Sequence, residues 1–313
     1  MVQPTIPTGR RPIVVIGSIN MDLVTRVPRL PRAGETVLGT SFAVIPGGKG
    51  ANQAVAAARL GADVYLIGRV GQDDFGRQLL AGLRANGVHA DPVVSTPGVP
   101  SGCAAIAVDD TGQNSIAVVP GANGLLSPAD VDAAEELIAS AAVVVMQLEV
   151  PIETVRHAAA LCRRVGVAMV LDPAPAPAGG LPGELYEVDV LTPNESEAAA
   201  LVGTNGDSSP EVIAARLLGR GCRTVVLKLG AAGSLVYERG KPVTRVAPFR
   251  VKVVDTTAAG DAFTGALAVG LGERMSLAAA ARFANAAGAL CCTKLGAQPA
   301  LPTREAVEKL WSS

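Results

Sequence analysis

VVVMQLEVPIETVRHAAALCRRVGVAMVL, residues 143–171, is the stretch on which the fold turns. It opens and closes on unbroken apolar runs, Val143 to Met146 and Val167 to Leu171, and residues 152–165 between them follow a helical pattern. A run without polar alternation belongs to a strand covered on both faces. The same rhythm extends outward in both directions. Ile13 to Ile16, Val64 to Ile67, Val188 to Leu191 and Val225 to Leu229 are further runs, and helices are predicted at 50–60, 73–86, 127–140, 195–202, 210–220, 260–272, 276–292 and 303–311. Ser127 before Pro128 supplies a cap and then proline at the first helical position, while Thr303 with Glu305 and Glu308 gives the last helix an acidic first turn. The alternation predicts an α/β fold with a mainly parallel sheet between helical layers.

Two regions break the rhythm, approximately residues 20–46 and 98–120. In the second, Cys103 to Val108 and Ser115 to Val119 flank the turn Asp109-Asp110-Thr111-Gly112, a hairpin signal. Short strands distant in sequence must pair to avoid an isolated ribbon. Both segments are therefore expected in a small β-sheet lid across the ligand-binding edge of the main sheet. Its open strand edges make a homodimer through the lid the expected assembly.

The 313 residues include 27 Lys plus Arg against 28 Asp plus Glu, and a net charge of −1 gives no field to attract nucleic acid or an anionic membrane. Residues 1–11 read as a flexible tail and 12–313 as one principal domain. The apolar stretch behind Arg10 and Arg11 is short and holds Gly17 and Asn20, unlike a signal core. No window approaches ~18 consecutive apolar residues, which argues against a membrane span. Cys103, Cys162, Cys222, Cys291 and Cys292 form no CxxC pair, and their odd number fits buried thiols in a reducing, cytoplasmic compartment rather than a zinc site. With His89 and His157 the only histidines, both read as surface residues, histidine-activated nucleophiles have few possible bases.

Five motifs lie at the ends of predicted strands or the starts of helices. In Gly47-Gly48-Lys49-Gly50-Ala51-Asn52, three glycines let backbone approach a polar ligand, and Lys49 and Asn52 add a charge and an amide. Ala43 and Gly50 break the Walker A pattern, and the dinucleotide GxGxxG fingerprint is not matched either. Asp255-Thr256-Thr257-Ala258-Ala259-Gly260-Asp261-Ala262-Phe263 places small residues at a helix start, where free N–H groups form an anion site suited to a phosphoryl group. Asp261 in that first turn is placed to accept an alcohol proton; alone, it equally reads as an acidic turn stabilising the helix dipole. Asn194 and Glu197 in Thr192-Pro193-Asn194-Glu195-Ser196-Glu197 are spaced to face one spot, as for a hydrated magnesium ion beside a triphosphate, or simply to begin a helix. Lys228-Leu229-Gly230-Ala231-Ala232-Gly233 is a strand ending in a turn able to admit a nucleotide, or only a turn. Met146-Gln147-Leu148-Glu149 ends a strand on the side where parallel sheets bind ligands.

In order, Gly17-Ser18-Ile19-Asn20-Met21-Asp22, the Gly47–Asn52 loop, Gln147-Leu148-Glu149, Asn194 to Glu197, Lys228-Leu229-Gly230 and Asp255 to Phe263 closely resemble the PfkB carbohydrate kinase family, over a span from about Ile13 to Leu310. Gly296-Ala297-Gln298-Pro299 fits the resemblance too. It implies a three-layer α/β/α sandwich with a mainly parallel central sheet and a small β-sheet lid. It also implies ATP-dependent phosphorylation of D-ribose at its 5-hydroxyl, giving D-ribose 5-phosphate and ADP. By position, Asn20, Asp22, Gly48, Lys49, Gly50, Asn52 and Glu149 would bind the sugar, with Asp261 as catalytic base and Ala258, Ala259 and Gly260 as its anion hole. Asn194, Lys228, Leu229, Gly230, Ala231, Ala232, Gly233, Gly260 and Asn285 would lie near ATP. Glu197 would be linked to Mg2+, and Asp255, Thr257, Cys291, Lys294, Gly296 and Ala300 would surround an activating K+, several through backbone carbonyls. Ala300 departs from the hydroxyl side chain common among relatives, and the Ala258-Ala259-Gly260-Asp261 core from the more widespread Gly-Ala-Gly-Asp. Deoxyribose, fructose or a nucleoside are the alternative acceptors, the nucleoside disfavoured by an aromatic content of 3%. A non-catalytic sugar-binding regulator is the alternative from another class.

Overall fold

The computed structural model describes residues 11–204 and 208–312. Of the expected tail, residues 1–10 lie outside the described residues, and Arg11 is held, its guanidinium donating to the Ser140 carbonyl at 3.1 Å.

The chain opens with β1 (Ile13–Ile16), β2 (Asn20–Arg26), β3 (Ser41–Gly47), α1 (Lys49–Arg59), β4 (Val64–Gly71), α2 (Asp74–Ala85), β5 (Val88–His89), β6 (Val93–Thr96), β7 (Gly102–Val108) and β8 (Asn114–Val119). It continues through α3 (Pro128–Asp132), α4 (Glu135–Ser140), β9 (Val143–Met146), α5 (Ile152–Val165), β10 (Ala168–Leu171), β11 (Val190–Leu191), α6 (Glu195–Val202) and α7 (Pro210–Gly219). β12 (Thr224–Lys228), β13 (Ser234–Glu238), β14 (Thr244–Val246), α8 (Ala259–Gly272), α9 (Leu277–Cys291) and α10 (Arg304–Trp311) complete it.

The main sheet has the order β14-β13-β12-β11-β10-β9-β1-β4-β5, with β6 pairing the far end of β4. From β12 to β5 every neighbour is parallel. The continuous runs are explained by where alternate side chains go. Ile13 and Val15 of β1 enter the core shared with α1, α8 and α9, while Val14 and Ile16 enter the opposite core under α5 to α7. β9 divides the same way, Val143 and Val145 against Val144 and Met146. Each such side chain contributes ~1.5–3 kcal/mol when fully buried.

Besides the short strands β5 and β6, three details differ from the sequence expectation. The helix expected at 127–140 is two pieces, because Ala134 (φ −110°, ψ 15°) leaves the helical region. Packing rather than length holds such short helices, and here Val131, Leu137 and Ile138 are buried in the α5 core. The 188–191 run contributes only Val190 and Leu191 to the ladder. β13 and β14, which the runs did not signal, extend the sheet antiparallel. Gly233 (φ +88°), in the turn between β12 and β13, lets the end of β14 lie close, since a Cβ there would stand 2.2 Å from the Val246 carbonyl oxygen.

A second sheet, β3-β2-β7-β8, rises from the end of β1. β2 runs antiparallel to β3 and parallel to β7, with Asn20 opposite both Gly47 and Gly102. This is the expected small sheet, built from residues 20–26, 41–47, 102–108 and 114–119. Under it, α1 and α8 pack closely because Gly265 has no side chain: a Cβ there would lie 2.8 Å from both the Ala56 Cβ and the Gln53 carbonyl oxygen. Gly265 is one turn beyond Asp261, so this spacing sets how near α8 brings that carboxylate to α1.

Candidate active site

α1 begins against the base of the small sheet. Gly48 precedes it at φ +86°, and a Cβ there would meet the Asn20 amide nitrogen at 2.7 Å. At Gly47 a Cβ would meet the Asp22 carboxylate at 2.2 Å. The two glycines thus let β3 close onto the strand that carries Asn20 and Asp22. Glu149, at the end of the β9 loop, accepts the Lys49 amide at 3.1 Å and the Ser18 hydroxyl at 2.6 Å on one oxygen. Asn123, buried and unsignalled in the sequence, donates to Asn20 Oδ1 at 2.7 Å and to the Ile19 carbonyl at 3.1 Å, and accepts the Ile19 amide. Asn20 is left to present its N–H groups. Burial and the neighbouring Glu149 and Asp261 push Asp22 up to about 7. Burial lowers the Lys49 pKa, but Asp261, Asp172, Glu149 and Glu197 together outweigh it and raise the net value, so the ammonium stays charged.

Asp261 is buried in the first turn of α8. Asn52 Nδ2 donates to its Oδ2 at 2.9 Å and Gln53 Nε2 to its Oδ1 at 3.1 Å. Burial raises its pKa to about 6 against the opposing pull of Lys49 and the two amides. Asp172, at the end of β10 and 1% exposed, accepts Lys228 Nζ at 2.8 Å, Gln53 Nε2 at 3.0 Å and the Thr264 hydroxyl at 3.2 Å.

Ala258 caps α8 in the left-handed region, φ 59°, with no side-chain cap. The Ala259 amide turns onto the Thr256 carbonyl at 3.2 Å and that of Ala262 onto Ala258 at 2.8 Å. Among the described residues this leaves the Ala258, Gly260 and Asp261 amides without a protein acceptor. Of the three predicted anion-hole residues, Ala258 and Gly260 therefore offer open donors; Ala259 does not, and Asp261 offers its own.

Two clefts meet here. One of about 630 Å³ is lined by Lys228, Gly230, Ala231, Gly233, Phe249, Val251, Val253, Asn285 and Cys292. The other, about 570 Å³, is lined by Lys49, Asp172, Asn194, Glu197 and Asp261. Lys228, Gly230, Thr256 and Gly260 belong to both. Asn285 spends both amide hydrogens on the Val246 and Ala247 carbonyls, so it faces the cleft as an acceptor. Ala231 and Ala232 form a 3-10 turn, and Leu229 is buried beneath it. Asn194 and Glu197 form a reciprocal capping box. Glu197 therefore starts its helix and also lines the second cleft.

Of the residues expected around K+, Asp255, Thr257, Cys291 and Gly296 are joined by hydrogen bonds. Asp255 accepts the Thr257 amide and hydroxyl and the Gly296 amide; burial pushes its pKa up, but these donors hold it below the usual carboxylate range. The buried Cys291 thiol, pushed up to about 12, donates to the Thr257 carbonyl at 3.5 Å, while Ala300 is buried and Lys294 exposed. A neutral thiol is a poor ligand for a hard cation. Among the described residues no three His, Cys, Asp or Glu side chains cluster to hold a metal, and no helix is long and apolar enough to cross a membrane. His89 and His157 pair with Asp63 and Asp132 outside both clefts.

Gln53, Asp172, Gln147, Thr264 and Asn123 were not read as site residues. Gln53 directly follows Asn52, and Asp172 directly follows an apolar run on the sheet's ligand-binding side; those were the available signals.

A mainly parallel α/β/α sandwich with a buried carboxylate in the first turn of an open helix start, at the meeting of two clefts, has the make-up of a small-molecule phosphotransferase. The chain belongs to the pfkB family of carbohydrate kinases, whose family model matches residues 10–304. It is 43% identical over 305 residues to the ribokinase of Bacillus subtilis (strain 168), covering 96% of this chain and 100% of that one. It is 37% identical to the deoxyribokinase of Salmonella typhi, covering 94% and 96%. The structure of Arabidopsis thaliana ribokinase complexed with ribose and ATP superposes with a TM-score of 0.89 at 35% identity, covering 97% of this chain and 100% of that one.

Proposed function

We propose that this enzyme transfers the γ-phosphoryl group of ATP to the 5-hydroxyl of D-ribose, giving D-ribose 5-phosphate and ADP. The observation that carries the reading is the position of Asp261, bonded to Asn52 on the sugar side and one residue from the open Gly260 amide on the nucleotide side. Asp22 and Glu149 accept from the sugar hydroxyls; Asn20, Lys49 and Asn52 donate to them. Asp261 takes the proton of the attacking alcohol as the new P–O bond forms. The Ala258, Gly260 and Asp261 amides receive the transferring group's oxygens, and Lys49 and Lys228 offset their charge. The larger cleft takes the nucleotide, against Phe249, Val251 and Val253.

Glu197 would hold a Mg2+ ion beside the phosphates, an ion that keeps water where protein ligands are few. Bound, the ion screens the phosphate charge. The carbonyls near Asp255, Thr257, Cys291, Lys294, Gly296 and Ala300 fit a K+. Exposed Phe42, Val44, Ile116 and Val118 on the lid support a homodimer through it, and free thiols support a cytoplasmic setting.

A panel of D-ribose, 2-deoxyribose, fructose and adenosine, each with ATP and with or without K+, tests this. Ribose is expected to give the highest kcat/KM, with phosphate on the terminal carbon by NMR and a rate raised by K+. Preference for 2-deoxyribose would transfer the assignment to the activity that the Salmonella relative carries; no turnover of any sugar would end it.

A further inference from the structure

Gln53 is completely buried on α1, and each atom of its amide has a fixed partner. Nε2 donates to Asp172 Oδ2 at 3.0 Å and to Asp261 Oδ1 at 3.1 Å, while Oε1 accepts Gln147 Nε2 at 2.7 Å. Two carboxylates, which only accept when ionised, and one donor leave the amide a single orientation. The arrangement reaches into both halves of the site. Asp172 passes from Gln53 to Lys228, which lines both clefts, and Asp261 passes from Gln53 to the sugar pocket.

Two buried carboxylates this close repel, and without a donor between them one retains its proton. One primary amide with both hydrogens committed between them eases that repulsion. It also fixes the plane of Asp261: Asn52 alone, bonded to a single oxygen, leaves the carboxylate free to turn about its last torsion. We propose that Gln53 is a positioning residue for phosphoryl transfer, holding the Asp261 carboxylate toward the attacking hydroxyl and linking it through Asp172 to Lys228. The inference rests on the kinase reading above and adds a residue to it. Besides Gln53 and Asn52, the groups that face Asp261 are Lys49 from α1, Asp22 from β2, Asp172 from β10 and Cys291 from α9. Substitution at Gln53 leaves all of these in place.

The test uses the full chain with Gln53→Glu, Gln53→Ala and Asp172→Asn, measuring kcat, both KM values, the pH profile of kcat and thermal melting. In Gln53→Glu one proton must serve two acceptors. Its kcat near neutral pH is expected to fall ~10–100-fold, while the KM for ribose changes less than about threefold and the acid limb moves up by about one pH unit. Gln53→Ala moves the limb the same way by less. Asp172→Asn moves it down, because a negative neighbour has been removed. A residue that only packs would lower melting temperature without these opposite shifts. The assignment is overturned if kcat stays near wild type, or falls with the limb unmoved; should Gln53→Glu not fold, Gln53→Ala and Asp172→Asn decide by the same signs. Wild-type enzyme unable to phosphorylate ribose would sink the function itself, and that is read first.

Discussion

Two helices point their N-termini into the site, and they are finished in opposite ways. At α1 each early amide has a protein acceptor: Lys49 has Glu149, Gly50 the Ser18 hydroxyl, Ala51 the Ser18 carbonyl and Asn52 the Gly48 carbonyl. At α8 the amides of Ala258, Gly260 and Asp261 have none among the described residues. Neither helix has a side-chain cap of its own. The same partial positive charge therefore does two jobs. Where the protein supplies the acceptors, the helix start is a rigid mount and its side chains Lys49, Asn52 and Gln53 carry the chemistry. Where it does not, the backbone itself is the receptor, and one side chain, Asp261, stands beside it.

The sharpest way to break this division is Asp261→Asn. The shape is kept, but proton acceptance is lost, and kcat is expected to fall ~10²–10⁴-fold. Calorimetry should still register ATP, since the open amides and the larger cleft are untouched. Turnover within tenfold of wild type would mean that the α8 backbone works without the carboxylate. One of the donors, Asn52 or Gln53, would also face an N–H₂ in place of an acceptor, lowering stability by ~1–3 kcal/mol in chemical denaturation.

Gly48→Ala tests the mount. The residue sits at φ +86°, and the new methyl would overlap the Asn20 amide and approach the Ser18 carbonyl oxygen at 3.0 Å. A left-handed alanine alone costs ~1–2 kcal/mol, and backbone on the far side cannot yield as a flexible side chain does. A loss of about 3 kcal/mol is expected, with ribose affinity falling in parallel because Asn20 and Lys49 move together. Normal ribose binding would show that α1 does not position the sugar groups.

The acidic groups between the two helices give the next effect. Asp22 is raised to about 7 and Asp261 to about 6 from 3.8, so the folded protein binds more protons than the unfolded chain across that window. The slope of stability with pH is then negative: their contribution is complete below about pH 4 and is lost as pH rises through their folded values. The free enzyme should melt higher at about pH 6 than at about pH 8, and Asp22→Asn should remove much of that difference. Ribose binding runs the other way, since its hydroxyls need ionised acceptors, and its KM should rise as pH falls below about 7. Melting temperatures and KM values that are both flat would place these carboxyls in ordinary solvent.

What the sequence disclosed divides along the same line. The mount and the receptor were legible because several strand-to-helix motifs, each alone readable as a turn or cap, occur together in order, and the apolar runs because strands buried on both faces leave no room for alternation. Gln53, Asp172 and Asn123 were not legible, because their partners lie 104, 119 or 208 positions away or similarly far. A glutamine in a helix has no local mark that separates a solvated side chain from one bridging two buried acids. β13 and β14 were missed for a related reason: an edge hairpin needs no uninterrupted apolar run.

The smallest effect concerns the one place where the receptor copies the mount imperfectly. Ala258 adopts φ 59° where α1 has glycine, but unlike Gly48 it has room for its methyl, which packs beside the α8 core. Ala258→Gly removes a left-handed strain of ~1–2 kcal/mol. It also frees the unfolded chain, which offsets ~0.4–1 kcal/mol of that gain. Partial burial of the methyl offsets a few tenths more. The net expectation is a stabilisation of about 0.5 kcal/mol in urea denaturation, with kcat unchanged because no amide donor is added or removed. A destabilised variant would mean that the methyl's packing outweighs the strain. A changed kcat at unchanged stability would mean that the methyl shapes the receptor, so that the open helix start, like the closed one, depends on a side chain.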